Sequence, residues 1–123
     1  MILVDTSVWI DHIDRSEPIM VDLLIHDRVR IHPYVIGEIS LGSLRDRSIV
    51  LRALTDLPRV PVATPDEVFY LIEQQQLFSR GIGYVDACLL ASARLEPGVM
   101  IWTRDKRLKK IADELALSPA LEH

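Results

Sequence analysis

The sequence predicts an α/β domain with a mostly parallel sheet covered by helices on both faces. Three observations lead there. Short apolar runs alternate with helix-period stretches along the whole chain. The stretches between those runs are long enough, at about ten residues or more, to force crossover connections rather than hairpins. No internal repeat, low-complexity tract or Gly/Ser-rich linker divides the 123 residues, which suffice for one core.

The elements follow in order. Met1 to Val4 is a short apolar run ending at Asp5 and suits a buried strand. Thr6 to about Asp14 forms a first helix, and Pro18 opens a second that reaches about His26. Val29 to His32 is the next strand, stopped by Pro33, and helices follow over Tyr34 to about Leu44 and Asp46 to Leu57. Arg59 to Val62 is a Pro-interrupted strand, suited to a sheet edge. Thr64-Pro65-Asp66-Glu67 starts a helix, with a capping Thr, Pro at the first turn and Glu three residues after the cap. That helix runs to about Ser79 and stops at Gly81. Tyr84 to Leu95 is a helix of small residues, ended by Pro97-Gly98. Val99 to Thr103 is a strand and Asp105 to Leu115 the last helix. Leu121 to His123 reads as a cloning and histidine-tag remnant and is set aside.

Composition bounds the function. Fourteen Lys and Arg against eighteen Asp and Glu give a net charge of −4, which excludes nucleic-acid binding by bulk positive charge. One cysteine, Cys88, excludes a disulfide framework and a Cys-based zinc site. No apolar run is long enough to span a bilayer and no signal peptide is visible, so a cytoplasmic protein without membrane attachment is expected.

In a parallel sheet, ligands bind beyond the carboxyl ends of the strands. Asp5 and the Thr103–Asp105 segment each follow a predicted strand. Most acids fall on polar helix faces, but Asp5, Glu38 and Asp86 stand among apolar neighbours. No Lys or Arg occurs in residues 1–14, 31–44 or 81–93 to pair with them. Singly, Asp5 can cap a helix, Glu38 can sit on an amphipathic face and Asp86 can meet a helix dipole. Together they would repel one another unless a cation lay between them, and Mg²⁺ or Mn²⁺ suits such oxygen ligands. The residues alone leave both readings open.

The segment from Thr103 to Lys110 holds all three lysines, plus Arg104 and Arg107, against one acid. It is either the solvated side of the last helix or a local contact in which Arg104, Lys106 and Arg107 hold phosphates. Asp105 fits a fourth carboxylate or a helix cap. The histidines lack a ligand spacing, since Asp22 and His26 share a helix face without a third partner. Trp9, Trp102 and Cys88 suit the core.

Four segments in order carry a resemblance: ILVDTSVWID, VIGEISLG, GYVDACLLASA and TRDKRL. Together they resemble the PIN domain and, more narrowly, the ribonuclease toxin of VapBC toxin–antitoxin pairs, over Ile2 to about Leu117. The resemblance implies one PIN domain over residues 1–120: a three-layer α/β/α sandwich around a mostly parallel sheet of four or five strands. It also implies an acidic pocket that binds Mg²⁺ or Mn²⁺ and hydrolyses RNA. Carried over by position, Asp5, Glu38, Asp86 and Asp105 are the catalytic and metal-holding acids. Thr6 or Ser7, together with Thr103, are the supporting hydroxyls. A homodimer and a cognate VapB-type antitoxin are implied as partners, the antitoxin's C-terminal segment lying over the acidic groove.

Two alternatives have different signatures. A phosphoacceptor receiver domain would place acids together at the first strand and an acceptor Asp at the middle strand. Here Asp5 is followed by Thr and Ser, and Arg59 to Thr64 holds no acid. A non-catalytic PIN-like module that binds RNA or protein differs only in lacking metal-dependent cleavage.

Overall fold

The computed structural model describes residues 1–121, so the remnant expected at the C-terminus lies outside the described residues except for Leu121, which packs against the core. Three parallel strands form the sheet: β1 (Ile2–Val4), β2 (Val29–Arg30) and β3 (Met100–Trp102), in the order β2-β1-β3. Successive residues of β1 point to opposite faces, yet all three are buried. Both faces of the sheet are therefore covered, which makes the three-layer arrangement. Among the described residues seven helices provide the cover: α1 (Thr6–Asp14), α2 (Pro18–Ile25), α3 (Pro33–Ser40), α4 (Arg47–Thr55), α5 (Pro65–Gln74), α6 (Tyr84–Leu95) and α7 (Lys106–Glu114). α1 packs on α3, α3 on α4 and α5 on α6, while α6 lies against β3.

The sheet has three strands among the described residues rather than the expected four or five. Arg59 makes only an isolated parallel bridge with Ile31, where the Ile31 N–H donates to the Pro58 carbonyl and the Val60 N–H to the Ile31 carbonyl. Pro58 and Pro61 lack the N–H donors that a longer ladder would need. At the other edge, beside β3, the Ile101 N–H donates to the Leu117 carbonyl at 2.6 Å.

Two helices end before their sequence signals. α5 stops at Gln74 rather than near Ser79, because the chain turns at Gln76 with φ 51°. The Gln76 and Leu77 amides then bond back to the Glu73 and Ile72 carbonyls, and Leu77 enters the core. This is a Schellman closure without glycine. α3 stops at Ser40 rather than near Leu44, and Arg47 Nη2 donates to the Ser40 carbonyl at 2.6 Å. The expected capping box is present: the Glu67 amide donates to Thr64 Oγ1 and the Thr64 amide to Glu67 Oε1.

α6 explains its composition. From Ala87 to Ala93 every residue is buried, which small side chains permit at close approach to the sheet. The buried Ser92 hydroxyl is satisfied by the Ala63 amide at 3.1 Å. This rigid helix sets the position of Asp86 in its first turn.

Candidate active site

The site lies at the carboxyl edge of the sheet. The Asp5 N–H donates to the Trp102 carbonyl at 2.9 Å, so the ladder holds Asp5 one residue past β1. Its side chain makes no helix-cap bond, although Asp5 occupies the N-cap position of α1. Instead Oδ2 accepts from Thr103 Oγ1 at 2.7 Å and from Ser7 Oγ at 3.0 Å. Asp5 and Thr103 are each only 6% exposed, so this carboxylate relies on those two hydroxyls in place of water.

The two adjacent hydroxyls of α1 serve different acids. Thr6 Oγ1 donates to Glu38 Oε1 at 2.7 Å, across the packed α1–α3 pair. Ser7 Oγ, besides donating to Asp5, accepts the Arg104 N–H at 3.1 Å. Neighbouring positions on a helix point about 100° apart, so Thr6 and Ser7 diverge to different partners. Glu38 itself is exposed despite its apolar flanks, because Val35 and Ile39 take the inward side of α3.

Asp86 accepts the Gly83 amide at 3.2 Å, stapling the first turn of α6. Burial pushes its pKa above the ordinary carboxylate value, the Gly83 bond opposes that, and the charges of Asp5, Asp105 and Glu38 raise it further. Four acids from four separate segments thus share one electrostatic neighbourhood. Asp105 caps α7, Oδ1 accepting from the Arg107 and Leu108 amides at 2.9 and 3.0 Å. It is a cap and a member of the acidic group at once.

The donor set suits a hard divalent cation: carboxylates gathered so that three of them raise the fourth, Asp86, with the Gly83 amide as the one influence holding it down. Among the described residues no three of these side chains stand close enough to grip one ion by themselves. Mg²⁺ keeps several waters and takes only one or two carboxylates directly, so a loose set is compatible with it.

The basic segment divides. Both terminal nitrogens of Arg104 are committed, to Asp11 and to Glu17. Lys109 pairs with Asp113. Lys106 and Arg107 are exposed at the start of α7, and the Arg107 side chain lies across Gly81. A Cβ at Gly81 would stand 2.7 Å from Arg107 Nη1, a flexible side-chain end that can move aside, so the constraint that favours glycine is its φ of +81°. Sequence reasoning missed this contact and the Arg80–Glu114 fork that fixes the same loop to α7.

It also missed His32. Its ring Nδ1 accepts the Tyr34 amide at 3.0 Å, capping the helix that carries Glu38, and the ring is fully buried. The signal available was a polar residue just before Pro33 at a helix start.

Among the described residues no helix is long and apolar enough to cross a membrane. Residues 2–114 match the PIN domain family. The chain is also 48% identical over 122 residues to Ribonuclease VapC32 of Mycobacterium tuberculosis strain CDC 1551 / Oshkosh, covering 99% of this chain and 98% of the relative. Ribonuclease VapC32 of strain ATCC 25618 / H37Rv matches to the same extent. With a family match across nearly its whole length and relatives at that identity, the chain belongs to the PIN domain family, among its VapC-type members.

Proposed function

We propose that the chain is a metal-dependent endoribonuclease and the toxin of a toxin–antitoxin pair, hydrolysing RNA phosphodiester bonds in the cytoplasm and inhibited by a cognate VapB-type antitoxin. The observation that carries the reading is that Asp5, Glu38 and Asp105 stand near enough to Asp86 for their charges to help raise its pKa, with Thr103, Ser7 and Thr6 donating to two of the four acids. The name of the relatives, a ribonuclease, supports the same activity.

Asp5, Glu38, Asp86 and Asp105 would hold Mg²⁺ or Mn²⁺. Such an ion supplies an acidified water and positive charge for the phosphate in the transition state. The chain's own residues do the rest. Thr103 and Ser7 fix the Asp5 carboxylate in one orientation, and Thr6 fixes Glu38. Glu38 or Asp105, both exposed, would orient the attacking water. Lys106 and Arg107 hold the RNA backbone beside them, as phosphate contacts that position rather than specify. No histidine is needed, so the products carry a 5′-phosphate and a 3′-hydroxyl.

Two surface features support the expected partners. A groove of about 680 Å³ beside Glu38 is lined by Ile10, Ile13, Ile39 and Leu44 with Asp11 and Asp14. It suits an antitoxin segment that buries apolar side chains and brings an Arg or Lys to the carboxylates. The exposed rings of Tyr34, Phe69, Tyr70 and Tyr84 support a homodimer.

The test is cleavage of total RNA by the purified protein with Mg²⁺, with chelator, and with Asp5→Asn, followed by mapping of the ends. Metal-dependent cleavage leaving 5′-phosphates, lost in Asp5→Asn and abolished by saturating antitoxin, is expected. A 2′,3′-cyclic phosphate product, or unchanged turnover with saturating antitoxin, would overturn the respective part of the reading.

A further inference from the structure

We propose that Arg104 is a positioning residue, clamping the Thr103–Asp105 turn onto α1 and thereby setting the hydroxyls that hold Asp5. The proposal rests on the nuclease reading above. Arg104 Nη1 stands 2.5 Å from Asp11 Oδ2 on α1, and Nη2 stands 2.6 Å from Glu17 Oε1 just before α2. Its guanidinium carbon lies 5.7 Å from the centre of the Trp102 ring, at cation–π distance. One planar fork therefore meets three groups in a single geometry, and its partners lie 93 and 87 residues away in sequence.

The backbone of the same residue completes the link. The Arg104 N–H donates to Ser7 Oγ, engaging one of that oxygen's lone pairs while its hydrogen goes to Asp5 Oδ2. One position earlier, Thr103 Oγ1 donates to the same carboxylate oxygen and accepts the Asp105 amide at 3.1 Å. The side chain of Arg104 thus holds the turn from outside while its amide orders the site from inside.

The charge arrangement argues against a role in binding phosphate. Arg104 offers one positive charge to two carboxylates, so the group is already negative overall. Glu17 Oε2 is buried without a hydrogen-bond partner, so moving the guanidinium onto RNA would leave that carboxylate poorly compensated. A lysine cannot reproduce the clamp, because an ammonium lacks the fork that reaches both acids and the ring.

The experiment compares Arg104→Gln, Arg104→Lys and the double variant Asp11→Asn/Glu17→Gln in Mg²⁺-dependent cleavage of a defined RNA. Positioning predicts a fall in kcat on the order of 10²-fold in all three, the usual scale for a displaced site, with KM within about twofold of wild type. The double variant is decisive, since it frees the guanidinium while keeping it present. A phosphate contact predicts the opposite: Arg104→Gln raises KM at unchanged kcat and reduces the salt slope by about 0.7, and the double variant keeps its kcat. Either of those results overturns the proposal. Thermal unfolding of Arg104→Gln, Glu17→Gln and their combination judges the clamp without activity. A double variant no less stable than Arg104→Gln alone is expected, and strictly additive losses in Tm overturn it. Wild-type protein that leaves RNA intact overturns the nuclease reading and with it the catalytic consequence, while the unfolding cycle still reports on the clamp.

Discussion

Replacing Thr103 by Val isolates one hydroxyl at nearly constant shape. Thr103 Oγ1 donates to buried Asp5 at 2.7 Å and accepts the Asp105 amide at 3.1 Å. A hydrogen bond to a charged group contributes about 1.5–3 kcal/mol and a neutral one about 1 kcal/mol. The extra methyl of Val returns at most about 0.8 kcal/mol. The net loss should be about 2–3 kcal/mol, which for a domain of this size lowers Tm by roughly 8–12 °C. Typical stabilities of about 5–15 kcal/mol leave the variant folded, so activity can be read on intact protein. Losing one of the two hydroxyls on its Oδ2, Asp5 should cost on the order of 10²-fold in kcat. Thermal denaturation of metal-free protein and steady-state cleavage measure the two effects. Thr103→Ser retains the hydroxyl and serves as the control. A Val variant melting within about 2 °C of wild type, or a Ser variant falling as far as the Val one, would refute the reasoning, since each means that the hydroxyl does not hold Asp5.

Three further outcomes are expected. Asp86→Asn should raise the Tm of the metal-free protein at neutral pH while abolishing cleavage. Burial and the neighbouring acids raise the Asp86 pKa, so its stabilising contribution exists below the ordinary carboxylate range and is lost as pH rises through the raised value; the gain should therefore shrink toward acid pH, and a gain independent of pH would count against it. Ala116→Gly, at an exposed position with φ 58°, should stabilise by up to about 1 kcal/mol without changing activity, as chemical denaturation can show. His32 is held at about 4 because its burial disfavours the charged ring. Its contribution is complete above pH 6.5 and falls as pH drops to 4, by about 3 kcal/mol in all at 1.36 kcal/mol per pH unit. Asn at position 32 keeps a cap acceptor and should flatten that part of the stability profile.

What the sequence made legible was local. Asp5 after Met-Ile-Leu-Val, the Thr64 capping box and the small residues of α6 each carry their structural reason within a few positions, and each stands where expected. Helix ends were less legible because glycine was the expected signal. At Asp27, Gln76 and Ala116 the chain enters the left-handed region without it, and the next residue's amide bonds back into the helix. Arg59 to Val62 reads as a strand from its side chains, but Pro58 before it and Pro61 within it remove the donors that pairing needs. The adjacent hydroxyls of Thr6 and Ser7 could not be ranked from sequence, and the structure gives each its own acid. Least legible were the charge pairs. Nothing near Arg104 in sequence says which of eighteen acids its guanidinium meets, since that depends on the turn between β3 and α7 landing beside α1.

Those charge pairs bear on why the pocket stays negative. Fourteen basic residues are enough to neutralise four acids several times over. The structure directs strong cations elsewhere: Arg104 to Asp11 and Glu17, Arg80 to Glu114, Lys109 to Asp113. Each of these is a surface or half-buried pair whose Coulomb gain is modest, so stability alone explains little of the pattern. The pairs do have a second effect, since a cation fixed by an outside acid cannot swing into the pocket. Hydroxyls, which donate without bringing charge, then become the means of holding Asp5 and Glu38 in place. A pocket built in this way keeps its negative potential, and under the metal-dependent reading a cation from solution would relieve the repulsion that raises Asp86. On that reasoning Mg²⁺ should raise the Tm of the wild-type protein in proportion to the logarithm of its concentration above Kd. The same titration should move Asp86→Asn much less, because the repulsion that the ion relieves has already been removed.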